Sequence, residues 1–384
     1  MRVTNLGVRL DQTYSSTVKF FSKAPDYFTP YLRRFVRLLA LPYCFIFLIN
    51  WKECTVSKLI VTFDLAYIFF RLKTFPFHYS LCRLWESNRS SWKYYYGSIY
   101  EPYQRSRLSK EVQPKKYSIV FDDKEVCYQL CRGINIPLPD QIAIIDPNED
   151  YKSKIAAILY AFPEDIIIIK PVLGSGGRNI LLAFIARNEI RVRDNEKFLS
   201  LPELRLSSRS VVQKYLKQHP DLEKFSKSFC TVRIATLLAK NGEVLILGAL
   251  IRFGRGDSYV DNTSKGGVAV GVDICNGALK EYAYDFNSLR YSCHPDTKEQ
   301  FKGFIIPDWE KLLELAMKVQ HAFPYYKMLG LDIGITSCGP VLVEINPAHD
   351  NVGLEQKCGP ILIDKRIRDE FRKYGLLITD HFAD

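Results

Sequence analysis

The sequence predicts an α+β protein: a basic, mainly helical segment over residues 1–116, then an α+β region over residues 117–384. Three observations predict it. Beyond residue 117, short apolar runs of strand length alternate with amphipathic stretches of helical period. An Asn241-Gly242 pair separates two apolar runs, the pattern of a tight hairpin. Charge also divides the chain: of a net +11, residues 1–116 hold 19 Lys and Arg against 7 Asp and Glu, and the rest is near neutral.

Composition narrows the function classes. With 47% hydrophobic and 25% charged residues over 384 positions, the chain is an ordered protein with a sizeable core. Ten cysteines include no C-x-x-C pair, which excludes a zinc knuckle and a thioredoxin-type motif. Cys127 and Cys131 are four apart on an expected helix and read as buried thiols. The first twenty residues are polar and lack the apolar stretch of a signal peptide, so a reducing cytoplasm is expected.

Within the basic segment, Leu38–Ile49 and Leu59–Phe70 are apolar, but the first is short and holds Pro42, and the second holds Asp64. Neither reaches the ~20 apolar residues that cross a bilayer. Two readings remain for them. They are helices packed on the rest of the chain, or they lie at a membrane surface (the cytoplasmic face), flanked by Arg33, Arg34, Arg37, Arg71 and Lys73. Packing is the plainer reading. The segment carries no nucleic-acid recognition motif, and no nucleic-acid partner is expected. Ser91–Leu108 is a Tyr-, Ser- and Arg-rich connector.

The elements then follow in order. Tyr117–Phe121 is expected as a short strand, and Asp123–Arg132 as a helix capped by Asp122 or Asp123 and ended by Gly133–Pro139. Residues 166–169, four isoleucines, form a buried strand. Thr231–Leu238 and Val244–Phe253 are the hairpin strands, and Pro307–Phe323 is an amphipathic helix opened by Pro307 and Asp308. Leu331–Ile335 and Val341–Ile345 form the closing pair. There is no internal repeat.

Two clusters carry chemistry. Glu344 and Asn346, two apart on one strand, face the same way, and Asp332 joins them if the closing strands pair. Two carboxylates and an amide oxygen make a hard donor set suited to Mg²⁺ carrying nucleotide phosphates, although acids at strand ends are commonly just solvated. The second cluster is Lys170 at a strand end, followed by Gly174, Ser175, Gly176 and Gly177. Glycines let backbone N–H groups converge on phosphate oxygens, and the lysine adds a point charge. The spacing is neither a Walker P-loop nor a dinucleotide fingerprint, and alone it reads as a hairpin turn.

Taken in order, these stretches resemble the ATP-grasp fold, in which two α+β subdomains, implied here at residues 117–216 and 217–384, clasp ATP, and in particular the sugar-transfer associated ATP-grasp family. The matching stretches are Asp122–Leu130, Lys170–Gly177, Gln213–Leu222, Thr231–Leu238, Ile251–Gly267, His294–Thr297 and Leu331–Pro347, within roughly Tyr117 to Gln356. The resemblance implies that Lys124 and Lys170 contact the phosphates and that Gly174–Gly177 cover them. It implies that Val212–Leu216, with Gln213, Lys214, Tyr215 and Leu216, form the adenine-reading hinge, and that Asp221 or Glu223 reaches the ribose. Arg233 and Arg252 would lie over the transferred phosphoryl group. Asn262, Gly266 and Gly267 would belong to an acceptor-side loop, and Asp332, Glu344 and Asn346 would hold one or two Mg²⁺ ions. His349 and Asp350 follow that set and could face an acceptor, whereas His294 receives no role. Many relatives carry a Rossmann-like domain ahead of the grasp, and residues 1–116 show no such pattern.

The activity implied is that of a Mg-ATP-dependent ligase. It joins a carboxylate to an amine, or less readily a thiol, on small-molecule or glycan-linked substrates of polysaccharide or cell-surface glycan assembly. Two alternatives stay open: an ATP-dependent phosphotransferase, or a nucleotide-binding scaffold docked on a membrane or a glycosyltransferase through its basic segment.

Overall fold

The computed structural model describes residues 38–74, 78–97, 110–174, 179–194, 197–256, 266–349 and 351–377, with isolated positions around them. The Ser175, Gly176, Gly177, Asn262 and Asp350 assignments lie outside the described residues, as do Arg33, Arg34 and Arg37. Among the described residues the longer helices are α1 (Lys58–Phe70), α2 (Lys124–Gly133), α3 (Tyr151–Ala161), α4 (Trp309–Ala322), α5 (Asn351–Cys358) and α6 (Lys365–Lys373).

Two antiparallel sheets organise the chain. The first contains β1 (Gln141–Ile145), β2 (Ile167–Pro171), β3 (Leu181–Ala186), β4 (Glu189–Asp194), β5 (Lys197–Ser200) and β6 (Ser210–Lys214), in the order β1-β6-β2-β3-β4-β5. Strand side chains alternate between faces. Ile167, Ile169 and Val212 therefore pack with Ile155 and Leu159 of α3 in one apolar cluster. Ile168 pairs with Gln213 and Lys170 with Val211, and these four share the opposite face. A lysine thus ends up at the end of a run of isoleucines without entering the core.

The second sheet contains β7 (Thr231–Leu238), β8 (Val244–Phe253), β9 (Val268–Val272), β10 (Leu279–Tyr284), β11 (Arg290–Tyr291), β12 (Met328–Thr336) and β13 (Gly339–Asn346), in the order β11-β10-β9-β8-β7-β12-β13. The hairpin strands and the amphipathic helix fall where the sequence places them. Asn241 turns the hairpin by accepting the Glu243 N–H at 3.1 Å. Leu312, Ala316 and Val319 of α4 cover Ile234, Leu331 and Ile333 on one face. Asp308 precedes α4 with a left-handed φ of 52° and no side-chain cap, and its carboxylate pairs with Lys311 at 2.8 Å instead. On the other face, Leu354 of α5 and Phe371 of α6 cover Ala235, Leu237 and Met328, leaving the sheet end that bears Arg233 and Asp332 polar. Glycines allow this close approach: a Cβ at Gly271 would lie 2.1 Å from the Lys357 carbonyl, and one at Gly330 would lie 2.9 Å from His349.

One element differs from expectation. The Tyr117–Phe121 stretch is helical, a 3-10 turn at Lys115–Tyr117 followed by one α-turn at Ile119–Asp122. The Ile-Val pair favours a strand locally, but the single turn drives Phe121 onto the rings of Phe323 and Tyr326, at 5.2 and 5.1 Å between centroids. Tertiary packing overrides the local preference.

The N-terminal segment builds its own cluster. Val61, Leu65 and Ile68 of α1 pack with Cys44, Ile49, Leu72, Tyr79, Leu84 and Trp92, all from residues 44–92. Asp64, buried within α1, accepts the Tyr79 hydroxyl at 2.6 Å and pairs with Arg89 at 2.5 Å, which is how an acid is held inside an apolar helix. Leu38–Ile49 becomes a short helix at Leu41–Tyr43 continued by a π-turn at Cys44–Leu48. Among the described residues no helix is long and apolar enough to cross a membrane. The cluster is joined to the second sheet through α5, where the buried Glu355 carboxylate accepts the N–H groups of Tyr96 at 2.7 Å, Gly97 at 3.0 Å and Ile361 at 3.3 Å. No disulfide links the described cysteines, and Cys131 is buried in the core as expected.

Candidate active site between the two sheets

Register alone assembles half of the site. Arg233 on β7 pairs with Asp332 on β12, and Asp332 pairs with Glu344 on β13, so the three side chains form a row on one face. Asn346 lies two residues along from Glu344, and its Nδ2 donates to Asp332 Oδ2 at 3.1 Å. Arg252 enters from the neighbouring β8, its Nη2 lying 3.1 Å from Asp332 Oδ2. Arg233 holds Asp332 bidentately, Nε to Oδ1 at 2.5 Å and Nη2 to Oδ2 at 2.9 Å. Burial opposes the charge on Asp332, but the Arg233 and Arg252 guanidiniums outweigh it and hold the carboxyl well below the usual range.

The first sheet and α2 supply the opposing wall. Asp123 caps α2 by accepting the N–H groups of Glu125 and Val126, both at 3.0 Å, which fixes Lys124 in the first turn. The Lys124 N–H donates to Val172 O at 3.1 Å, tying the helix start to the segment after β2. The Lys124 ammonium then reaches both sheets, donating to Gly174 O at 2.6 Å and lying 3.5 Å from Glu344 Oε1. Lys170 is buried near it. Desolvation pushes its pKa down to about 8, Lys124 adds to the depression, and Glu344 partly offsets both.

This value carries a sign. Lys170 holds its proton below pH 8 and loses it above, so its attraction for an anion fades as pH rises. Between pH 7 and 9 affinity for a polyphosphate anion held by this lysine is expected to fall by about tenfold, the loss of one charge whose pKa lies at about 8. A Lys170→Met protein should bind weakly at pH 7 and show a flat profile. Calorimetric titration at the two pH values checks both, and an unchanged parental affinity would remove Lys170 from the anion site.

The other expected residues are distributed unequally. Gln213 is buried beside Lys170 on the same face. Lys214 points outward to Asp165 at 2.9 Å, and its N–H donates to Asp140 O at 2.9 Å. The Tyr215 N–H donates to Ile166 O at 2.8 Å, while Leu216 N–H meets no acceptor among the described residues. Asp221 and Glu223 lie exposed on a short helix, and among the described residues the Asp221 carboxylate lies 3.6 Å from the His219 ring. Gly266 has a left-handed φ of 96° at the end of the loop that follows β8. His294 is a structural clamp for that loop: its Nε2 lies 3.2 Å from Gly254 O, and Nδ1 accepts the N–H groups of Asp296 and Thr297 at 3.3 Å.

Asp261, Tyr259 and Asn351 escaped the sequence reading, whereas His349 was among the residues it named. Asp261 lies 3.6 Å from Arg252 Nε and accepts the Thr231 N–H at 2.7 Å, so Arg252 is gripped from two sides. Tyr259 donates to Ile180 O at 2.6 Å, joining the post-β8 loop to the first sheet. Both residues sit in the Ile251–Gly267 stretch, but their partners depend on how the loop folds back, which no spacing announces. His349 is buried near Arg233 and Asp332 with Asn351 buried next to it, and apart from the approach of these two side chains to each other neither has a hydrogen-bond partner among the described residues. Burial, reinforced by Arg233, pushes His349 down to about 3, so it is a neutral hydrogen-bonding ring and too weak a base to take a proton at pH 7.

A divalent cation fits this donor set with one adjustment. Among the described residues no three His, Cys, Asp or Glu side chains converge as a metal site, and the set offers only two carboxylates and an amide. Asp332 Oδ2 already receives three donors, so it could turn to a cation only as Arg252 and the Asn346 amide release it. Four cationic side chains, Lys124, Lys170, Arg233 and Arg252, face the three carboxylates of Asp261, Asp332 and Glu344. That balance disfavours a bare cation and favours one that arrives with a polyanion.

The profile of the sugar-transfer associated ATP-grasp family matches residues 103–363. No curated protein matches the chain. Among solved structures it is similar to the D-cycloserine synthetase DcsG, with 12% identity, a TM-score of 0.41, and coverage of 69% of this chain and 72% of that one. It is also similar to a D-alanine–D-alanine ligase from Bacillus anthracis, at 13% identity and a TM-score of 0.38, covering 71% and 75%. Against an N5-carboxyaminoimidazole ribonucleotide synthetase from Thermotoga maritima the figures are 12% and 0.33, with 61% of this chain spanning 44% of that one. With its profile matched over more than half its length, the chain belongs to the sugar-transfer associated ATP-grasp family.

Proposed function

We propose that the chain is an ADP-forming ligase that uses Mg-ATP to join a carboxylate to an amine. The observation that carries this reading is the convergence of Lys124, Lys170, Arg233 and Arg252 on Asp332 and Glu344 between the two sheets. Such a site suits a triphosphate accompanied by Mg²⁺, with Asp332, Glu344 and Asn346 as the residues that would hold one or two ions. When bound, the ion neutralises phosphate charge.

In the first step a substrate carboxylate oxygen attacks the γ-phosphorus of ATP, a new O–P bond forms, and the bond to the β-phosphate oxygen breaks to release ADP. An amine nitrogen then attacks the acyl carbon; phosphate leaves and the nitrogen loses a proton. The protein's part is positional and electrostatic: Lys170 and Lys124 hold the phosphates, and Arg233 and Arg252 meet the charge spread over the transferred group. His349 and Asn351, buried next to each other near Arg233, suit the orientation of an acceptor. The family's association with sugar transfer supports a glycan-linked substrate.

The test needs no knowledge of the acceptor. Mg-ATP at a hundred times its dissociation constant is expected to stabilise the fold by about 2.7 kcal/mol, visible as a Mg²⁺-dependent rise in melting temperature. No rise at saturating nucleotide would sink the proposal. With candidate carboxylates, hydroxylamine should trap an acyl phosphate as a hydroxamate; a stable phosphate ester in its place would make the chain a phosphotransferase.

A further inference from the structure

We propose that the N-terminal unit docks the protein on an anionic lipid bilayer through the solvent face of α1 and the segment before it. Helix α1 is apolar on both sides. Val61, Leu65 and Ile68 face inward, while Leu59, Phe63 and Phe70, at helical spacing, form a stripe facing solvent. Leu39, Ile46 and Phe47 present the same character from the preceding segment, and all six side chains are between 56% and 68% exposed. An apolar face of this kind marks an interaction site. At 13 residues α1 is too short to cross a bilayer, so it would lie in the interface.

The charge around the face selects the partner. Residues 38–97 contain seven lysines and arginines against three acids. Each acid is spent on an arginine: Glu53 on Arg83, Asp64 on Arg89, and Glu86 on Arg83 and Arg290. Lys52, Lys58, Arg71 and Lys73 are exposed and, among the described residues, pair with no carboxylate. They border the apolar face as a positive rim. A second copy of the chain would bring two such rims together, whereas anionic headgroups complement the rim while acyl chains receive the stripe.

Co-sedimentation of the full chain with vesicles tests this. The probes are phosphatidylcholine alone and phosphatidylcholine with about a third phosphatidylglycerol. The expected result is binding to the anionic vesicles at least tenfold tighter than to the neutral ones, and weakening as salt rises. A Leu59→Ser/Phe63→Ser/Phe70→Ser protein should lose that binding. Should this protein fail to fold, a Lys58→Glu/Arg71→Glu protein, which leaves the apolar cluster intact, is expected to bind at least tenfold more weakly and decides the matter. Failure of the parent to bind anionic vesicles, or folded variants that bind as well as the parent, would overturn the proposal. So would a parent that is dimeric by light scattering and made monomeric by the stripe variant.

Discussion

An Asp332→Asn protein is expected to unfold with about 3–5 kcal/mol less free energy than the parent at neutral pH, measured by urea titration. The carboxylate is almost fully buried and is held by both guanidiniums, with side-chain exposures of 20% for Arg233 and 16% for Arg252. Asparagine preserves the volume and one acceptor oxygen, so the loss is electrostatic: two largely buried cations keep their desolvation cost and lose most of what offsets it. Asp261 softens the blow for Arg252 but stands 3.6 Å away and answers first to Thr231. A loss below about 1 kcal/mol would mean that the arginines find water, and that the row across β7, β12 and β13 contributes little to the fold.

The neighbouring acid should behave in the opposite manner. A Glu344→Gln protein is expected to keep its stability within about 0.5 kcal/mol, because Glu344 is partly exposed and its ion pair to Lys124 spans 3.5 Å. Its Mg²⁺-dependent affinity for ATP, in contrast, should fall on the order of 10²-fold, about 2.7 kcal/mol. Calorimetric titration with and without Mg²⁺ separates the two effects. If affinity without the metal falls just as far, Glu344 serves to place Lys124 and is no metal ligand. Together the two variants distinguish an acid that holds the site together from one that remains free for a cation.

Much of this was legible in the sequence because it rests on short-range rules. Strand alternation put Glu344 and Asn346 on one face, and the pairing of the closing strands brought Asp332 to them. The hairpin at Asn241-Gly242 and the cap at Asp123 are local chemistry of the same kind. What escaped depends on contacts between distant segments. Phe121 turned a strand-like stretch into a helix because the rings of Phe323 and Tyr326 wait some two hundred residues away. Asp261 and Tyr259 acquire partners only when the loop after β8 folds back on Thr231 and Ile180. The packing of the N-terminal apolar runs likewise depends on contacts beyond their own stretch: α1 buries Val61, Leu65 and Ile68 in a cluster of residues 44–92 and presents an apolar face outward.

The Glu355 carboxylate bears on where this protein can be cut. Its partners Tyr96 and Gly97 precede residue 103, where the family match begins, so the matched segment is completed by residues outside the match. A fragment started at residue 103 would take from the buried Glu355 carboxylate the N–H groups of Tyr96 and Gly97 and leave it that of Ile361. It would also strip Tyr96 from the apolar cluster it forms with Phe371 of α6. The boundary of the family match and the boundary of the packed unit therefore do not coincide in this chain.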